Sequence, residues 1–175
     1  MKSVDVEMVA PDFDVVLSTG ETVPLRSLFE RDKVALVFLR HLGCVFCREH
    51  VAQLRRYPEL NIAFVTLGTV EQTEAFRIAM KSPHRFICDP EKRLHQAFNL
   101  NKGGLAQMIS PRVVARAIGA TLSGHFQSAT TVGDPMQMPG VFVIAPSGEV
   151  TWEHRSRDAA DNPSPQEIER HLSGE

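Results

Sequence analysis

Cys44 and Cys47 stand three residues apart, the spacing of a C-x-x-C pair. The working nucleophile in disulfide and peroxide chemistry is the thiolate. Both a C-x-x-C motif and a helix N-terminus pull a thiol below its free pKa of about 8.5. Closing so small a ring removes little unfolded-chain entropy, so a Cys44–Cys47 bond would be a poor staple, and reversible redox chemistry is the better use of the pair. Arg40 and Arg48 flank the cysteines, and a cation within roughly 4–6 Å favours the charged thiolate. Position alone makes Arg40 the stronger candidate; Arg48 reads as a solvated surface charge. The same stretch offers His41, Cys44, Cys47 and His50 as ligands of a zinc-binding or interaction module. Structural zinc, however, normally draws four N or S ligands from two separated knuckles. Cys88, the third cysteine, reads as a small buried hydrophobe.

The elements around the pair explain why its placement matters. Val34 to Leu39 is an unbroken apolar run, the pattern of a strand buried on both faces. After it, Cys47, Val51 and Leu54 fall at i, i+4 and i+7 on one helical face, and Pro58 ends that helix. The cysteines therefore sit at the carboxyl end of a central strand, where open α/β sheets place their sites, and at the positive end of a helix. Upstream, Phe13 to Leu17 and Glu21 to Val23 form a hairpin around Gly20, and Leu25 to Phe29 a brief helix. Downstream, Ile62 to Leu67 and Arg85 to Cys88 are strands. A helix from Glu71 to Met80 lies between them, with Ala75, Phe76 and Ala79 expected toward the sheet. Glu91 to Phe98 is a short helix and Arg112 to Ile118 another, with Ser110 as N-cap and Gly119 as its C-terminal stop. A long loop from Leu122 leads through Met138-Pro139-Gly140 into the strand Val141 to Ile144, then a turn, a strand from Glu149 to His154, and a helix capped by Ser164 and Glu167.

Residues 1–175 read as a single domain, because 43% hydrophobic and 23% charged residues suit one ordinary core. A formal charge of -2 gives no electrostatic reason to expect nucleic acid or an anionic membrane surface as partner. The first residues carry no signal-like apolar core and no run reaches spanning length, so a cytoplasmic protein is expected. Three unevenly placed cysteines do not make a secreted disulfide framework. The order hairpin, β, α, β, α, β, α, β-turn-β, α argues for an α/β fold, a central mixed sheet with helices on both faces.

Several motifs in order resemble the peroxiredoxins, the thioredoxin-fold superfamily of alkyl hydroperoxide reductase and thiol-specific antioxidant proteins. Ala10-Pro11-Asp12-Phe13 through Leu25 is similar to that family's opening hairpin, Phe38-Leu39-Arg40 to its active-site strand, and Cys88-Asp89-Pro90 with Ala97 to Leu100 to its later turn and helix. Arg40 to Cys47, Gly133-Asp134-Pro135 to Phe142, and His154-Arg155 resemble a peroxiredoxin-like branch with a C-x-x-C site. The resemblance implies a thioredoxin-like fold of peroxiredoxin type. It also implies a hydroperoxide or disulfide substrate, a thiol reductant such as a thioredoxin-type protein, no cofactor, and leaves a homodimer open. It makes Cys47 the peroxidatic candidate, whereas thioredoxin logic makes Cys44, at the helix mouth, the attacker; both roles stay open here. Aligned on Cys47, Arg40 stands where typical members have proline and Cys44 where they have threonine. Pro139 and Gly140 occupy the stretch where family members place an arginine. By likeness to thioredoxin, whose active proline is cis, Pro139 is a binding candidate beside the thiols, although trans is the ordinary state of an X–Pro bond. Arg155 is a second, approaching from the neighbouring strand. The competing function is a thioredoxin-like protein disulfide reductase.

Overall fold

A computed structural model of the protein describes residues 8–100, 111–122, 133–134 and 136–174. Its sheet is built on the apolar runs. β3 (Val34–Phe38) and β4 (Ile62–Thr66) are buried at every position and pair in parallel, Ala35 with Ile62 and Phe38 with Val65. β5 (Arg85–Cys88) extends the parallel set beside β4. The hairpin β1 (Asp14–Leu17) and β2 (Thr22–Pro24) adds antiparallel to β5. On the other side β6 (Gly140–Ile144) pairs antiparallel with β3, and β7 (Val150–Arg155) with β6. The mixed seven-stranded order is β2-β1-β5-β4-β3-β6-β7.

Alternation along β3 divides the core into two layers. Ala35 and Val37 join Phe64, Phe86, Val141 and Val143 on the face covered by α1 (Val45–Leu54), α2 (Val70–Ala79) and α5 (Pro165–Ser173). Val34, Leu36 and Phe38 join Val65, Ile87 and Phe142 on the face covered by the 3-10 turn Leu25–Leu28 and α3 (Arg93–Ala97). There Phe38, Phe98 and Phe142 form a cluster of tilted and edge-on rings 4.8–5.5 Å apart. α1 is buried on more than one side, since α4 (Pro111–Leu122) packs against it through Val113 and Ala117.

Two sequence expectations are corrected. α2 turns Thr73, Phe76 and Met80 to the core, and leaves Ala75 and Ala79 exposed. The Thr73 hydroxyl lies 2.8 Å from that of Thr66, so a satisfied polar group occupies the inner face. α4 runs through Gly119 to Leu122; a single exposed glycine costs a helix only about 1 kcal/mol and does not end it. The expected N-cap Ser110 and most of the long loop before Pro139 lie outside the described residues. At the last helix Ser164 Oγ accepts from the Glu167 N–H at 3.2 Å, and Thr69 with Gln72 makes a full capping box at α2 that the sequence reading did not single out. Among the described residues no helix is long and apolar enough to cross a membrane.

Candidate active site

β3 ends at Phe38, and the chain turns through Arg40 to Gly43 before α1 begins. Cys44 is the N-cap of α1 and Cys47 sits in its first turn. The Cys44 N–H donates to the His41 carbonyl at 3.0 Å, closing the turn and setting the first cysteine at the open end of the helix. The sulfurs lie 3.7 Å apart, beyond the roughly 2.05 Å of a disulfide, so both are thiols or thiolates. Cys44 is 2% exposed and Cys47 3%.

Arg40 serves both sulfurs. Its Nη1 donates to Cys44 Sγ at 3.2 Å and its backbone N–H to Cys47 Sγ at 3.3 Å. The pair is polarised as a result. The Cys47 thiol donates to Cys44 and contributes most to lowering that pKa to about 6, against the burial that opposes ionisation. The Arg40 charge and the N–H groups of Cys47 and Phe46 at the helix mouth act in the same downward direction. Cys47 is pushed well above the ordinary thiol value by the hydrogen bond it gives, by burial and by the negative charge beside it. The pair is thus polarised toward a Cys44 thiolate beside a Cys47 thiol.

The remaining candidates separate from this centre. Arg48 lies over the Phe76 ring, 5.7 Å from its centroid. Arg155 donates through Nη1 to the carbonyls of Phe98 and Asn99 at 2.9 and 3.0 Å and stacks over Phe142, so it clamps the end of α3 and does not approach the sulfurs. Pro139 is buried one register step beyond the Phe38–Gly140 pair, beside the chain entering Arg40. Its peptide bond is trans, not cis, as are all those described. His50 is buried in α1 with the Pro163 carbonyl as its partner. Among the described residues no three His, Cys, Asp or Glu side chains are placed to hold a metal. Cys88 ends β5, half-buried, its pKa raised by burial.

The segment that the sequence marked through its family resemblance, beginning at Gly133, reaches this turn. Gly133 forms an isolated antiparallel bridge with His41, and Asp134 pairs with Lys92 at 2.7 Å. The φ of +108° at Gly133 shows why a glycine stands there.

A family model described as AhpC/TSA antioxidant enzyme matches residues 48–158. The match begins one residue past Cys47, so the body of the fold carries it. Peroxiredoxin-like 2C of Homo sapiens is 24% identical over 165 residues, covering 86% of this chain and 73% of that protein. Prostamide/prostaglandin F synthase of Danio rerio is 26% identical over 169 residues, covering 89% and 81%. A solved peroxiredoxin-like protein from Aquifex aeolicus superposes with a TM-score of 0.69 at 11% identity, over 99% of this chain and 89% of that one, a likeness of fold.

Proposed function

The chain belongs to the AhpC/TSA antioxidant enzyme family, and from that premise we propose that it is a thiol-dependent peroxide reductase in which Cys44 attacks and Cys47 resolves. One observation carries the assignment: the Cys44 sulfur receives both the Arg40 guanidinium and the Cys47 thiol, while Cys47, among the described residues, receives a backbone N–H. The Cys44 thiolate attacks the outer oxygen of a hydroperoxide, and the O–O bond breaks. The alkoxide takes a proton from solvent and leaves as the alcohol, and Cys44 becomes a sulfenic acid. Cys47 then attacks that sulfur. The S–S bond forms, hydroxide leaves, and it departs as water with the Cys47 proton. A thioredoxin-type dithiol restores the pair through a mixed disulfide, which suits a reducing compartment such as the cytoplasm.

The same pair could reduce disulfides. The near-complete burial of both sulfurs favours an oxidant of a few atoms over a protein disulfide, whose sulfur must approach in line. Hydrogen peroxide consumption and insulin disulfide reduction, measured side by side with one dithiol donor, test the choice. Peroxide turnover exceeding insulin reduction is expected. Insulin reduction without peroxide turnover overturns it in favour of a disulfide reductase.

A further inference from the structure

The cysteine turn is seated on the corner between β4 and α2. It enters from β3 with the Leu39 N–H donating to the Val65 carbonyl at 2.9 Å. Just before Cys44 it rests on Gly68. A Cβ at Gly68 would stand 3.1 Å from Leu42 Cδ1 and 2.9 Å from Thr73 Oγ1, closer than a methyl group can stand unless a neighbour moves. Leu42 is buried and lies between Cys44 and His41, whose carbonyl takes the Cys44 N–H. The φ of Gly68 is not positive, so its backbone would accept a side chain; the lack of space is what requires a glycine.

The wall behind Gly68 is stiff. Thr66 and Thr73 are fully buried, with their hydroxyl oxygens 2.8 Å apart, and the Gly68 N–H points at Thr66 Oγ1 from 3.4 Å. The capping box closes the start of α2: Thr69 Oγ1 accepts from the Gln72 N–H at 3.3 Å, and Gln72 Oε1 from the Thr69 N–H at 3.0 Å. The Thr73 N–H donates to the Thr69 carbonyl at 2.9 Å. A group added at Gly68 therefore meets a fixed wall on one side and the Leu42 side chain on the other, and Leu42 is the part that gives.

We propose that Gly68 is a positioning residue for Cys44: its bare backbone lets Leu42 seat against the β4–α2 corner, and that seat holds the turn in the shape that lays the Arg40 guanidinium on the Cys44 sulfur. Arg40 and Leu42 belong to the same turn, Arg40 to Gly43, so a displaced Leu42 is felt at both of its anchors. One is the bond from Arg40 Nη1 to Cys44 Sγ at 3.2 Å, the other the bond from the Cys44 N–H to the His41 carbonyl at 3.0 Å. The attraction of a cation for a thiolate falls with distance, so a turn out of place weakens the anion. The consequence for peroxide chemistry rests on the peroxide-reductase reading, whereas the seat does not.

The test uses the full chain and no turnover. Iodoacetamide alkylation across pH, followed by peptide mass mapping, gives the midpoint at which Cys44 ionises. In Gly68→Ala the midpoint is expected to rise by about 0.5–1 pH unit, which is about three- to tenfold less thiolate at a pH well below it. Leu42→Ala empties the seat from the other side and is expected to move the midpoint in the same direction. The double variant titrates no higher than Leu42→Ala alone, because the added methyl no longer has Leu42 to displace. Arg155→Met, which loosens the other core layer, is the control for lost stability and leaves the midpoint in place. A folded Gly68→Ala whose midpoint does not move would make Gly68 a packing residue only, and overturns the proposal even where stability falls. So does a double variant whose shifts add. If Gly68→Ala fails to fold, Leu42→Ala decides, and an unmoved midpoint there overturns the proposal. Because ionisation and not peroxide consumption is read, a failed seat and a failed redox reading give separate results.

Discussion

Arg40 grips both members of the cysteine pair, its guanidinium on Cys44 Sγ at 3.2 Å and its backbone N–H on Cys47 Sγ at 3.3 Å. The backbone bond survives any substitution except proline, whereas the charge does not. In Arg40→Met the Cys44 pKa is expected to rise from about 6 by about 1–2 units. The thiolate fraction near neutral pH then falls by up to about tenfold, and alkylation slows with it. Arg40→Lys gives a smaller rise, since an ammonium keeps the charge but not the planar fork. Thiolate absorbance against pH measures the shift directly. An unmoved titration would show that the guanidinium does not stabilise the thiolate.

The polarity of the pair predicts which cysteine carries the first oxidation product. With a sulfenic-acid trap present, Cys47→Ser exposed to peroxide retains the Cys44 thiolate and is expected to accumulate a trapped sulfenate on Cys44, because its resolver is gone. Cys44→Ser is expected to trap little on Cys47, which is buried and held by one N–H. Mass mapping that finds the sulfenate on Cys47 instead reverses the roles. It would restore the assignment that the family resemblance alone implies.

Arg155 carries a different expectation. Its two bonds to the carbonyls at the end of α3, together with the contact over Phe142 at 5.0 Å, make it a tie between β7 and the second core layer. Arg155→Met should cost about 1–2 kcal/mol of stability and lower the denaturation midpoint. The Cys44 thiolate titration should not move. A shifted titration with unchanged stability would return Arg155 to the site.

The strands were legible because buried parallel strands write themselves as unbroken apolar runs, as at Val34–Phe38 and Ile62–Thr66. The cysteine pair was legible because its spacing is local. What failed depended on tertiary context. Alanines at 75 and 79 look apolar in sequence, yet the sheet-facing stripe of α2 is set by Thr73, whose hydroxyl finds Thr66 across the interface. The Lys92–Asp134 contact joins residues 42 positions apart, and the targets of Arg155 are 56 and 57 positions away. No window of sequence holds both ends. That one side chain and one N–H of Arg40 divide between two sulfurs follows from a folded turn, not from composition.

The corrected face of α2 has a direct consequence. Phe76 is buried between α2 and the Phe86 ring, so Phe76→Ala should cost about 3–4 kcal/mol through lost contact and cavity. Ala79 is exposed, and Ala79→Glu should stay within about 0.5 kcal/mol. Denaturant unfolding of the two variants separates the two orientations. The reverse ranking would put the alanine stripe on the sheet.

The buried histidines fix the direction of the protein's acid sensitivity. Burial holds His50 down to about 4 from 6.5, with the Pro163 carbonyl opposing and the charge of His154 adding. His41 is likewise held to about 4 by burial and by the Arg40 charge. For a base whose folded pKa is lowered, the unfolded chain takes up the proton first. Stability is therefore intact above about pH 6.5, falls as pH drops toward 4, and stops falling below it. For His50 the loss is about 3 kcal/mol over that interval. Glu74, lowered from 4.5 to about 2 by Arg77 and Ser18, loses its contribution only below about pH 4.5, so the two windows separate. Denaturant unfolding across pH, compared between the protein and His50→Gln, reads the slope and not the absolute stability. The variant should reduce the slope of the upper window to the part that the other buried histidines carry, and leave the lower window unchanged. A parallel pair of curves would show that His50 already carries its proton in the folded state, and its place in the core between α1 and the Pro163 carbonyl would then have to accommodate a charge.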